Sequence, residues 1–194
     1  MTNPLFAPSK HWQLNACVNQ GLDAWYAYTS GYRRAAELIT DALRERPHDQ
    51  DILIFPVLFL WRHHLELRLK AIARSASWLL GQDWKATKEH DLGQLFAAAM
   101  PLVERCFAEF AETLPREQLA QARNALVALR SVDAQAMAFR YPEDLKGDKH
   151  VTEPYHINFD VVDQYMKSIA DVLDDIDSAL SVFSDWKQET LSAY

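Results

Sequence analysis

Hydrophobic positions recur along this chain at spacings of three and four residues, the pattern of helices that bury one face. The pattern is most regular over 158–188, where Phe159, Val162, Met166, Ile169, Leu173, Ile176, Leu180 and Phe183 alternate the two spacings without a miss. That is a heptad seam. A second helix is predicted over 115–139, with Leu119, Ala122, Leu126, Leu129, Val132 and Ala136 on one side. A third covers 20–45, where Tyr32, Ala35, Ala36, Ile39 and Leu43 keep helical spacing. Two more fall between, from Asp51 to Leu80 and from Asp91 to a point before Pro115. Punctuation supports these bounds. Pro47 cannot continue a helix, Pro56 falls in the first turn or two of the next, and Asp91 with Gln94 three residues on has capping-box spacing.

Residues 1–18 carry two prolines and no period, and are expected to form an arm; 19–194 is expected to be a single domain. "GQDWKATKE" is a loop, and "RYPEDLKGDKHVTEPYHIN" is the longest irregular stretch. The whole pattern predicts an all-α fold, an up-and-down bundle of about five helices.

Composition narrows the picture without changing it. The chain has 194 residues, 49% of them hydrophobic and 24% charged, which suits one globular domain with a sizeable core. Only five glycines occur, consistent with long helices and few turns. A net charge of −7 argues against general duplex-DNA binding, which needs clustered cations. Cys17 and Cys106 make neither a disulfide framework nor a zinc quartet; both are read as small apolar fillers in helices. The start, MTNPLFAPSK, does not have the pattern of a signal peptide. The longest apolar run, Ile52 to Trp61, is about half of what a membrane span needs. No membrane association and a cytoplasmic location are therefore expected.

The candidate chemistry sits in "LFLWRHHLELRLKAI", residues 58–72. On a helix Arg62, His63, Glu66, Lys70 and Arg74 share one arc, His64 and Arg68 point elsewhere, and Leu65, Leu69 and Ile72 form the apolar face. The arc is either a surface carrying exposed i,i+4 pairs or a buried polar pocket organised by Glu66. Adjacent histidines diverge on a helix, and no HExxH or glycine-rich phosphate loop is present, so no metal and no cofactor are expected. A second group lies in "RSVDAQAMAFRYPEDLKGDKH", where Asp133 and Arg140 share a predicted helical face. Arg140 is there either a helix-end cation or, with Tyr141, the rim of a pocket offering a forked donor to phosphate.

"HHLELRLKAI", then "EHDLGQLF", then "FRYP", taken in order, resemble the HEPN superfamily. These are small α-helical domains of bacterial toxin–antitoxin, nucleotidyltransferase-associated and phage-defence systems. The resemblance spans about residues 50–185. It matches the family's apolar helix at Glu66 and Lys70, its His-Asp-Leu helix start at His90, and its Arg-Tyr-Pro at Arg140 and Tyr141. It implies a module that pairs as a homodimer and binds RNA, a nucleotide or a cognate protein. Nuclease members carry an arginine and a histidine separated by four to six residues. Here Arg44 and His48 are separated by three, and Arg140 and His150 by nine. A ribonuclease would need a rearranged centre, with Arg140 stabilising the phosphorane and His150 or His63 moving protons. The expected polar pocket comprises Arg62, Glu66, Lys70, His90, Asp133, Arg140 and Tyr141. The remaining alternative is a ligand-free helical assembly protein.

Overall fold

A computed structural model describes residues 7, 9–18, 23–133, 137–152 and 156–192. Five helices account for most of them: α1 (Ala24–Glu45), α2 (Gln50–Leu79), α3 (Leu92–Glu109), α4 (Arg116–Val132) and α5 (Phe159–Ser192). No strand occurs among the described residues, which hold one isolated bridge, Glu143 to Lys149. No helix among the described residues is long and apolar enough to cross a membrane. The expected all-α bundle is the fold found.

The organising element is α2. It packs against α1, α3 and α5, while α4 lies against α3 and α5. Surrounded on most sides, α2 has no solvent stripe through its middle: Trp61, Arg62, His64, Leu65, Glu66, Arg68 and Leu69 are all buried. The exposed-face reading of its charged stretch is thereby overturned. Pro56 sits early in the helix, as expected, and Asp49 stands at the N-cap without a side-chain bond.

The seam of α5 is spent inside the chain. Met166, Ile169, Leu173, Ile176, Leu180 and Phe183 lie in the same core cluster as Trp61, Leu65, Leu69 and Ile72, with Phe159 and Val162 half-buried at one end. Six of the seam's eight positions are thereby buried within the chain's own core. Beside it runs a row of acids that fasten α5 to α1 and α2. Arg33 reaches Asp171 and Asp174 at 2.7 Å each, and Arg44 reaches Asp160 and Asp163 at 2.7 Å each. Arg68 lies 2.7 Å from Asp174 and also contacts Asp177. Lys187 closes the far end by donating to the carbonyl of Leu79 and lying 5.5 Å from the Trp78 ring.

Two local expectations need correction. The helix predicted over 115–139 stops at Val132, because Asp133 takes over the chain direction: its Oδ1 accepts from the backbone N–H groups of Met137 (2.8 Å) and Ala138 (3.0 Å). Such side-chain bonds to the backbone compete with helix continuation. Ala136 lies outside the described residues. Cys17, read as a helical filler, is exposed and outside any helix, whereas Cys106 is buried in α3. Burial pushes the Cys106 thiol pKa up to about 11, so it stays an inert thiol.

Candidate functional site

The buried layer of the site begins with Glu66, which is 3% exposed. Its Oε1 accepts from Lys70 Nζ at 2.8 Å and stands 2.9 Å from His90 Nδ1; its Oε2 lies 3.3 Å from Arg62 Nη1. Lys70 and Arg62 reach it because residues four apart share a helix face. His90 arrives from the turn before α3. There the Glu89 carboxylate accepts the N–H groups of His90 and Asp91 at 2.8 Å each, and Asp91 caps α3 through Gln94 N–H at 3.0 Å. The anticipated Asp91–Gln94 spacing is thus used for the cap, while the reciprocal half is supplied by Glu89.

Arg62, also 3% exposed, is held on three sides. Its Nη2 donates to the carbonyl of His90 at 2.7 Å, and its Nε lies 3.2 Å from Asp133 Oδ2, an ion pair without hydrogen-bond alignment. Asp133 therefore neutralises Arg62 and shapes the turn after α4. It does not stand on a helix face behind Arg140, as the sequence suggested. Burial works to raise the Glu66 pKa; the bonds from Lys70 and His90 outweigh it and hold the carboxyl below its ordinary range.

An outer, half-open layer lies over this network. Phe59 and His63, one turn apart on α2, stack at 5.6 Å with ring planes 15° apart, and Tyr32 of α1 meets His63 edge-on at 4.4 Å. Arg140, exposed in the turn after Asp133, lies 5.7 Å from the Phe59 ring and 5.4 Å from that of Tyr141. Arg140 is not in the last turn of a helix, so it is not a helix-end cap. Burial pushes the His63 pKa down; Glu66 works against this, and Arg140, Lys70 and Arg62 add to it. The imidazole is therefore neutral at physiological pH.

Of the sequence-predicted residues, Arg62, Glu66, Lys70, His90 and Asp133 come together below, and His63, Arg140 and Tyr141 above. His150 does not join them. It sits in the short hairpin closed by Glu143 and Lys149, where its backbone N–H donates to Pro142, and no hydrogen bond or ring contact links its imidazole to Arg140 or His63 among the described residues. Phe59 and Tyr32 were not anticipated as partners of His63; the aromatic start of the α2 arc was the available signal. His64 is wholly buried, its Nδ1 2.9 Å from the carbonyl of Thr29, and burial lowers its pKa against the pull of that bond. No known family model, curated protein or solved structure matches the chain.

Proposed function

We propose that this chain is a HEPN-like helical module that binds a nucleotide or single-stranded RNA on the face where Phe59, His63, Arg140 and Tyr141 meet. The observation that carries the reading is the Arg140 guanidinium lying against two aromatic rings, 5.7 Å from Phe59 and 5.4 Å from Tyr141. Unpaired bases stack on aromatic and guanidinium planes, and the same guanidinium offers a fork to phosphate. The buried network below holds α2 and the turns before α3 and after α4 in one register, so the face is built before any ligand arrives. A defence or toxin–antitoxin setting, with a cognate protein, is what the motif resemblance implies. A homodimer would have to form through surface other than the α5 seam.

The test is fluorescence anisotropy with a labelled single-stranded RNA and a labelled adenine nucleotide. Arg140→Ala should weaken binding about tenfold or more, since base stacking contributes roughly 1–3 kcal/mol per base. Arg140→Lys should fail nearly as badly, keeping the charge but losing the plane and the fork. Lysine binding as tightly as arginine, or neither probe binding the wild type, sinks the reading.

A second reading, a metal-independent ribonuclease, is favoured by one observation: the His63 imidazole is stacked on the same Phe59 ring that Arg140 lies against. Cleavage of end-labelled RNA in the presence of chelator, reduced by His63→Ala by a much larger factor than RNA binding is, would support it. No cleavage above background dismisses it.

A further inference from the structure

A separate concavity lies between α3 and α4, on residues that the proposed binding face does not use. It is a groove of about 630 Å³ whose floor includes Phe96, Ala97, Met100, Leu126 and Val127. Val127 is 56% exposed in the middle of α4, an apolar side chain that the fold leaves uncovered. Three arginines border the groove, Arg116, Arg123 and Arg130, at intervals of seven residues along α4. Seven residues are about two helical turns, roughly 10.5 Å, so the row spans roughly 21 Å on one side. Arg116 is 79% exposed with Glu104 3.8 Å away, and Arg130 is 51% exposed with only its Nε against Asp91 at 2.5 Å. Arg123, exposed, has no ion partner among the described residues.

On a chain of net charge −7, the three arginines outnumber the acids beside them, Glu104 against Arg116 and Asp91 against Arg130, and leave Arg123 as the unpaired cation at the middle of an open apolar floor, among the described residues. We propose that this groove docks an acidic amphipathic helix of a partner protein. Apolar side chains at helical spacing would cover Val127 and Met100, and carboxylates at heptad spacing would meet the arginine row, as flanking charges do in helix pairs. The α3 side supports close approach. Ala97 presents a low surface there, and Pro101, inside the helix, leaves the Ala97 carbonyl without its helical donor.

Two other occupants fit less well. For single-stranded nucleic acid the groove lacks a stacking ring, because Phe96 is only 7% exposed. For a second copy of this chain, the acidic row of α5 is already engaged: Asp163 with Arg44, Asp171 and Asp174 with Arg33, Asp177 with Arg68.

The probe is a synthetic helical peptide with leucines along one stripe and glutamates at heptad positions beside it, titrated into the full chain. Saturable binding is expected, with amide shifts in nuclear magnetic resonance spectra concentrated at Gly93, Ala97 and Val127. Arg123→Glu should weaken it at least about tenfold, since like charges facing each other across an interface cost several kcal/mol. Val127→Asp should weaken it comparably, and both variants should keep the wild-type melting temperature. A peptide with lysines in place of the glutamates should not bind. Absence of saturation at millimolar peptide, shifts mapping to another face, indifference to Arg123→Glu, or stronger binding of single-stranded RNA to the same residues would each overturn the assignment.

Discussion

Glu66 is a carboxylate with three donors around it and almost no water. Removing it leaves the half-buried Lys70 without a counter-charge and the buried Arg62 with Asp133 alone, so Glu66→Ala should cost roughly 3–5 kcal/mol, against under about 1 for an exposed pair. A urea midpoint equal to wild type would contradict the buried network. The pH dependence has a definite sign. The folded-state pKa of Glu66 lies below its ordinary value of 4.5, so its contribution is whole above that pH and is lost as pH falls through the folded value. His64 acts earlier on the same descent. Its pKa is lowered from 6.5 by burial, with Asp174 of α5 pulling the other way and Arg68 of α2 and Arg33 of α1 adding to the fall. Stability is thus full above about 6.5 and declines as pH drops below it. In His64→Gln, which cannot charge, the loss between about pH 7 and 5 should shrink, with His63 supplying the remainder. Equal slopes for the two proteins in urea melts would refute this.

Among the helices, α5 and α2 illustrate what a linear pattern reveals and what it hides. The spacing on α5 identified the buried positions because that helix has one core face and one solvent face. Leu173, fully buried, should cost about 2–5 kcal/mol as Leu173→Ala, whereas Val161→Ala, at a site 61% exposed on the same helix, should change stability by less than about 0.5 kcal/mol. Comparable calorimetric shifts for the two would mean the seam is not the core. On α2 the same spacing reasoning left open whether the charged arc surfaced, since a helix enclosed on most sides loses its single-face period. Leucines at 65, 67 and 69, on both sides of the arc, were the sign that it is wrapped. Asp160, Asp163, Asp174 and Asp177 each stand one residue after a seam position, with Asp171 one place off that row, and their arginine partners on α1 and α2 could have been sought from that. The early stop of α4 was not legible, because one aspartate bonding to the backbone ahead of it has no periodic signature.

For the molecule as a whole, the acids of α5 meet arginines of α1 and α2, while on α4 Arg116 and Arg130 meet acids of the α3 side and Arg123 is exposed. The fold class and most helix bounds could be read from spacing alone. The division of the candidate site into a buried ionic layer and a half-open aromatic one could not, since it depends on elements distant in sequence meeting around α2. That distance also acts in time. Arg68 and its partner Asp177 are 109 residues apart, and the apolar sides of the same two helices close on each other. At roughly 5–20 residues per second of synthesis, one flank of α2 waits roughly 5–20 s for α5 to be made. During that interval α1 and then α3 can cover their own sides of α2, while the side that meets α5 stays open, so α5 supplies the step that commits the newborn protein to its core.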